Sequence, residues 1–293
     1  MKILIIGKNG QLGKSINKAV SKVDKFFQFD FVGREELDLS NFDNIDSFFN
    51  NHAYDVVINC AAYTNVDMAE NETDLSNAIN NLAVKKIAQI AKKESFKFIH
   101  VSTDYVFSGE INRPYTEKDI PSPINAYGRS KLEGELAIID ILDNNAVIIR
   151  TSGLYSEFGN NFVNTMLGLE NQKKEIYVVS DQIFSPTNAR DLAEAILTIV
   201  NTEKFKTKTQ KTQIYQYCSS NACSWFDFAN EIFRLSNNST RINPIQLVDY
   251  PALANKPIYS VLNSSKIEKE FGLRVLDWKE SLESLFPLKH LGN

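Results

Sequence analysis

Short apolar runs alternate with amphipathic stretches along the first half of the chain. ILII (3–6) precedes a helical pattern at 10–21, and FFQFDF (26–31) precedes one at 41–51. DVVIN (55–59) leads into a helical stretch at 74–94, and FKFIHV (96–101) into a long loop. A helix is then predicted over about 124–141 and a strand, AVIIR, at 146–150. ILII and VVI are apolar without alternation, so both of their faces must be buried, as in a parallel sheet covered by helices on each side. The pattern predicts a doubly wound α/β domain over residues 1–150.

The second half is less regular. Residues 159–171 and 188–201 read as helices, IYVV (176–179) and IYQYC (214–218) as strands, and KFKTKTQKT (204–212) as a solvated loop. CSWFDFANEIF (223–233) is a strongly amphipathic helix that reads as core of a small domain, and two more short helices follow in the tail. The expectation is a smaller, interleaved α/β substrate domain made mainly of 151–293, discontinuous in sequence. Parts of 180–220 are expected to return to the first domain.

Composition narrows the classes. At 293 residues the chain can bury one large core or two modest ones. A net charge of −4 with no basic tract argues against a nucleic-acid or anionic-membrane partner. Cys60, Cys218 and Cys223 are odd in number and lack CxxC spacing, which fits a reducing compartment better than a disulfide framework. Only four consecutive apolar residues follow Lys2, too few for a signal-peptide core, and no apolar run reaches the roughly 18 residues of a spanning helix. A soluble, cytoplasmic protein is expected. His52, His100 and His290 lie far apart in no ligand motif, so no metal is expected, and His100 reads as a satisfied core histidine in a strand.

The first strand runs straight into GKNGQLGKS, with glycines at 7, 10 and 13. Glycines in such a turn allow a tight bend, close approach of a pyrophosphate and close helix–strand packing, while the helix N-terminus supplies N–H donors. The GKS at 13–15 evokes a nucleoside-triphosphatase phosphate loop. That motif needs four residues between its glycines, and Gly7 and Gly13 enclose five. The spacing fits a Rossmann-like dinucleotide turn. About 20 residues on, Asp30 is placed to accept hydrogen bonds from the adenosine ribose, which disfavours a 2′-phosphate. Arg34 suits that phosphate instead. The two cues conflict, leaving NADPH or NADH open, with the residues leaning towards NADH or dual use.

The fourth strand delivers STDYVF (102–107) to the carboxyl edge of the sheet, where ligands of open parallel sheets bind. About 25 residues later, NAYGRSKLEGE (125–135) places Tyr127 and Lys131 one helical turn apart. With 11 Tyr and 32 Lys or Arg in the chain, about one such pair is expected by chance, and one occurs. Position, not spacing, gives the pair weight: a hydroxyl, a phenol and an ammonium would meet at a dinucleotide site.

Gly7-x2-Gly10-x2-Gly13, NCAAYT (59–64), STDYVF and Tyr127-x3-Lys131 resemble the extended short-chain dehydrogenase/reductase superfamily. AAYTNVDMAE (61–70), PYTEKDIPSPINAYGRSKLEGE (114–135), RTSGLYSEFGNNF (150–162), DQIFSPT (181–187) and SWFDFA (224–229) resemble the dTDP-4-dehydrorhamnose reductases, in order along nearly the whole chain. The resemblance implies NAD(P)H-dependent reduction of a 4-keto group on a nucleotide-linked deoxyhexose, giving dTDP-L-rhamnose. It implies that Tyr127 donates a proton to the developing alkoxide, that Thr103 hydrogen-bonds the same oxygen, and that Lys131 keeps Tyr127 poised and holds the nicotinamide ribose. By the same resemblance Gly7, Gly10, Gln11 and Leu12 serve the pyrophosphate, Asp30 the ribose, and Asp38 and Leu39 the adenine. Ala61, Ala62, Tyr63 and Thr64 would follow the cofactor, and Asp104, Tyr105 and position 153 would face the sugar. A homodimer is a further expectation.

Three positions depart from that family. Gly153 stands where Trp is usual, Phe184 where Gly is usual, and Lys256 where Arg is usual. All three fall in the expected substrate region, and Phe184 is a candidate to fill the space left at Gly153. The departures leave open another nucleotide-linked deoxysugar. An epimerase or dehydratase of the same superfamily is a second reading, and a non-catalytic binding subunit resembling methionine adenosyltransferase beta is a third.

Overall fold

Each apolar run of the first half becomes a strand of one parallel sheet. The computed structural model describes residues 1–22, 26–169, 174–206 and 211–286. In chain order the first half contains β1 (Lys2–Ile6), α1 (Gln11–Ala19), β2 (Gln28–Val32), α2 (Phe42–Asn51) and β3 (Val56–Asn59). There follow α3 (Thr73–Asn77), a π-helical turn (Ala78–Leu82), α4 (Ala83–Glu94), β4 (Lys97–Thr103), α5 (Ala126–Ile141) and β5 (Ala146–Thr151).

The second half adds β6 (Leu154–Tyr155), α6 (Phe162–Gly168), β7 (Glu175–Val179), β8 (Ile183–Phe184), β9 (Thr187–Asn188), α7 (Ala189–Asn201) and α8 (Glu203–Lys206). It ends with β10 (Gln213–Gln216), β11 (Cys223–Ser224), α9 (Trp225–Ser236), β12 (Arg241–Ile245), α10 (Ser265–Phe271) and α11 (Trp278–Glu283). The main sheet runs β10-β5-β4-β3-β1-β2, every pairing parallel.

The lack of alternation now has its cause. Ile3 and Ile5 pack with Leu12, Ile16, Leu192 and Ile196 of α1 and α7, on one face of the sheet. Leu4 and Ile6 pack with Ile45, Ile87 and Ile138 of α2, α4 and α5, on the other. All four are essentially inaccessible, so successive residues of one strand feed two cores. The strand order reverses between β1 and β3, and the crevice beyond the carboxyl ends there is where ligands bind in such sheets.

A third core lies outside this sheet. Val163 and Met166 of α6, Ile176 and Val178 of β7, and Phe228, Ile232 and Phe233 of α9 pack with Trp278 and Leu282 of α11. α9 starts cleanly because Ser224 and Asp227 form a reciprocal capping box, which contributes about 1 kcal/mol. β10 and α7 belong to the first half's architecture, by pairing with β5 and by sharing a core with α1.

Some element boundaries differ from expectation. The second strand starts at Gln28, not 26, and continues to Val32, leaving Phe26 in an exposed turn. The strand expected at 214–218 ends at Gln216. Lys204–Lys206 form part of a helical turn with Phe205 buried, so that end of the expected loop is structured; 207–210 lie outside the described residues, as do 170–171 of the helix expected at 159–171, and His290. The long helix expected at 74–94 forms, interrupted by the π turn. Among the described residues no helix is long and apolar enough to cross a membrane.

Candidate active site

The glycine turn is shaped by close approach. The backbone N–H groups of Gly7 and Lys8 both donate to Val32 O (2.9 and 3.0 Å), folding the turn back over β2. Gly7 has φ +97°, where only glycine is comfortable, and a Cβ there would lie 2.9 Å from Ala61 N. A Cβ on Gly13 would overlap the Gly7 carbonyl, so α1 can seat directly on the turn only without one. Gly10 begins α1 without a side-chain cap, which leaves the orphan N–H groups of the first turn at the cleft wall.

That turn forms one end of a cleft of about 730 Å³. Gly7, Gly10, Gln11, Leu12, Ala61, Ala62 and Thr64 line it, and so do Thr103, Asp104, Tyr105, Tyr127, Lys131 and Gly153. Two expected contributions fall elsewhere. Asp30 is two residues short of the end of β2, and its carboxylate pairs with Lys2 (3.2 Å) and accepts from Tyr54 Oη (3.0 Å). Asp38 is taken up by Ser40 (2.7 Å) and Arg34 (3.3 Å), and Leu39 is core. Gly33 and Arg34 line the cleft at the end of β2 instead.

Tyr63 faces away from the cleft. Its N–H donates to Asn80 Oδ1 (2.9 Å), its carbonyl accepts from Asn80 Nδ2 (3.0 Å), and its hydroxyl donates to Glu72 (2.8 Å). Asn80 sits in the π turn, fully buried, and its Nδ2 also reaches Ser130 Oγ of α5 (3.0 Å). The widened turn thus clamps the 61–64 segment to the helix that carries Tyr127, a use of π-bulges common at functional sites.

At the carboxyl end of β4, Thr103 Oγ1 donates to Asp104 Oδ1 (3.1 Å) and accepts from Tyr105 N (3.2 Å). Asp104 Oδ2 accepts from Ser152 Oγ (2.8 Å). Burial raises the Asp104 carboxyl to about 6, against the pull of those hydroxyl donors. Tyr127 sits in the first turn of α5, which Asn125 caps by accepting from Gly128 N (2.7 Å). The rings of Tyr105 and Tyr127 meet edge to face, 6.0 Å apart. Lys131 is 1% exposed, and its Nζ lies 2.7 Å from Val101 O and 3.1 Å from His100 Nε2.

The charge states differ from the expectation that a Lys131 ammonium holds Tyr127 near neutrality. Low-polarity surroundings, with the Asp104 charge adding to them, push the Tyr127 phenol up to about 12, the Thr103 hydroxyl acting the other way. Burial pulls Lys131 down to about 8 in spite of Glu135 and Cys60. In the protein alone, then, the phenol keeps its proton, which is the state a proton donor needs.

Gln182 and Trp225 line the cleft without a site signal in the sequence, whereas Phe184 and Gly153 stand where the departures from the family pattern point. Phe184 packs on Gly153, stacks on Trp225 (centroids 4.0 Å apart) and lines the cleft with it. Trp225 Nε1 donates to Gln182 Oε1 (3.0 Å), whose amide donates to Pro257 O (3.1 Å). Trp225 was expected in the small core; it serves core and cleft wall at once. Lys256 does not line the cleft; it pairs with Asp67 (3.4 Å). Among the described residues no group of three or more His, Cys, Asp or Glu side chains could hold a metal.

The family described as RmlD substrate binding domain matches residues 1–289. The dTDP-4-dehydrorhamnose reductase of Aggregatibacter actinomycetemcomitans is 38% identical, over 97% of this chain and 98% of that protein. A dTDP-4-dehydrorhamnose reductase structure from Clostridium acetobutylicum superposes with a TM-score of 0.90 at 38% identity, covering 97% of this chain and 98% of that one. The Bacillus anthracis dTDP-4-dehydrorhamnose reductase, solved in complex with NADP, superposes with a TM-score of 0.89 at 34% identity, over 97% and 98%.

Proposed function

This chain belongs to the dTDP-4-dehydrorhamnose reductase family, and on that premise we propose that it reduces the 4-keto group of dTDP-4-dehydro-L-rhamnose to dTDP-L-rhamnose with NADPH or NADH. The observation that carries this reading is one cleft holding both the glycine turn and Thr103, Tyr127 and Lys131. The residues present fit a dinucleotide. The turn tolerates no Cβ at Gly7 or Gly13, the first turn of α1 offers free donors, and Ser102 Oγ is a buried cleft hydroxyl without a partner among the described residues. Gly10, Gln11 and Leu12 would hold the pyrophosphate, Arg34 the adenosine end, Ala61, Ala62 and Thr64 the run between, and Tyr127 and Lys131 the nicotinamide ribose.

When bound, the reduced dinucleotide supplies the hydride for the carbonyl carbon. Tyr127 gives its phenolic proton to the carbonyl oxygen, so the carbonyl becomes a secondary alcohol and the phenol a phenolate. Thr103 Oγ1 turns from Asp104 to donate to that oxygen, and Asp104 and Tyr105 orient the sugar. Lys131, charged once the site is filled, balances the phenolate. Residues 1–150 with α7 and β10 form the dinucleotide unit, and the rest the substrate unit. Three free thiols and these substrates support a cytoplasmic location. Exposed Leu136 and Ile139 on α5 support a homodimer.

The test is oxidation of reduced dinucleotide in the presence of dTDP-4-dehydro-L-rhamnose. Wild-type turnover no faster than that of Tyr127→Phe would overturn the assignment.

A further inference from the structure

A buried hydrogen-bond chain reaches Lys131 from behind the cleft. Ala61 N–H donates to Asn59 Oδ1 (3.0 Å), Asn59 Nδ2 lies 3.2 Å from His100 Nδ1, and His100 Nε2 lies 3.1 Å from Lys131 Nζ. Asn59 and His100 are each at most 1% exposed and lie behind the cleft wall, so no water substitutes for a missing partner of either. The direction of the chain follows from donor and acceptor accounting. The Ala61 N–H needs an acceptor, which assigns Oδ1 to it and turns the Asn59 amide nitrogen, a donor only, toward the ring. Nδ1 must therefore accept. A neutral imidazole then carries its hydrogen on Nε2, and that hydrogen points at Lys131 Nζ. An imidazolium is excluded because Nδ1 must accept, and burial also holds His100 well below its usual value.

An ammonium has three donors and no acceptor, so facing an Nε2–H it would set hydrogen against hydrogen. A neutral amine has a lone pair for that hydrogen and still donates to Val101 O at 2.7 Å. From this geometry we infer that Asn59 and His100 are positioning residues that favour the neutral amine of Lys131 in the free protein, so that dinucleotide binding raises its charged fraction. Burial pulls Lys131 the same way. The charged and titratable groups that act on it, Glu135 on α5 and Cys60 beyond β3, pull otherwise or are neutral, the Cys60 thiol being pushed up to about 12.

Charging Lys131 reverses the chain. Lys131 takes one proton from solvent and donates to Nε2; His100 stays neutral, its hydrogen now on Nδ1. Asn59 turns its Oδ1 to that hydrogen, its Nδ2 then faces the Ala61 N–H, and that N–H, on the cleft wall, must turn to an acceptor in the cleft. Dinucleotide binding, His100 tautomer and the 61–64 segment are thereby linked. This inference rests on the dinucleotide reading above.

The test uses protein labelled with nitrogen-15 histidine, whose shifts separate the two tautomers, with His100→Gln as the assignment control. At about pH 9, a unit above the value to which Lys131 is pulled, His100 is expected to carry Nε2–H in the free protein. With NADP present it is expected to carry Nδ1–H. Calorimetry in two buffers of different ionisation enthalpy should show uptake of about one proton per site in wild type. In His100→Gln, whose amide oxygen accepts from an ammonium, uptake should fall severalfold while binding persists. An Nδ1–H ring in the free protein, or unchanged uptake in His100→Gln, would overturn the inference. Absence of any binding heat would overturn the dinucleotide reading instead, and the free-protein tautomer would still decide the charge of Lys131.

Discussion

The Phe184 ring lies directly on Gly153, where a Cβ would sit 2.6 Å from Phe184 Cδ2, inside any allowed contact. Gly153 also holds φ +52°, in the left-handed region. The two departures from the family pattern in this part of the cleft are therefore one packing unit, with Trp225 stacked on the far side of Phe184. Gly153→Trp alone should destabilise the protein by about 2–4 kcal/mol, from overpacking and backbone strain together. Phe184→Gly alone should cost about 3–5 kcal/mol, by leaving a cavity against Trp225. The double variant should recover at least about 1 kcal/mol relative to their sum. Urea denaturation of the four proteins checks the cycle, and strict additivity would show that the positions do not compensate. KM for the nucleotide sugar, measured on the same four, reports whether the pair also sets which sugar fits.

Tyr127→Phe keeps the ring that meets Tyr105 edge to face and removes only the donated proton. Turnover should fall by about 10²–10⁴-fold, while the Kd for the dinucleotide weakens only by the roughly 2–13-fold of one lost hydrogen bond. Stopped-flow reduction and a binding titration separate the two. A loss of binding equal to the loss of turnover would assign the phenol to cofactor binding alone.

How much of this was visible beforehand depends on range. The strands were legible because burial on both faces leaves a purely apolar run, and Ile3 to Ile6 divide between two cores as that pattern requires. Thr103, Tyr127 and Lys131 were legible by position, since strand ends and helix starts are local features. Asp30 is off the cleft because β2 runs on to Val32, one residue past the expected end, and the carboxylate turns to Lys2 and Tyr54. Asn80 depends on a π turn that leaves no local signature, while the paired departures at 153 and 184 point to a contact that only tertiary packing supplies. His100 was recognised as buried and bonded, but its partners come from β3 and α5 and no spacing announces them.

Asp104 is a buried carboxyl raised from 3.8 to about 6 by burial. The folded state thus binds its proton more tightly than the unfolded state does. Its stabilising contribution is fully present below about pH 4 and is lost as pH rises through about 6. Asp104→Asn removes the cost of a buried charge, so at pH above 7 it should stabilise the protein by about 1–3 kcal/mol. The gain should vanish near pH 4. KM for the sugar should rise, because a carboxylate acceptor facing the substrate is gone. Denaturation midpoints at the two pH values, with wild type alongside, check the sign; a variant less stable than wild type above pH 7 would refute it.

The adenosine end of the cleft decides between NADPH and NADH, and there Arg34 and Asp30 make opposite claims. Arg34 lines the cleft just past β2 and its side chain is largely exposed, pairing with Asp38 at 3.3 Å. A guanidinium so placed can swing to a 2′-phosphate, a charge-assisted contact worth about 1.5–3 kcal/mol. Asp30 does not line the cleft; it ties β2 to Lys2 at the start of β1 and to Tyr54. Arg34→Ala should therefore weaken NADPH by about 10–150-fold and leave NADH nearly unchanged. Asp30→Ala should leave both affinities nearly unchanged. Fluorescence titration of each variant with both dinucleotides checks this. A selective loss of NADH binding in Asp30→Ala would return the ribose to Asp30 and remove the argument for NADPH.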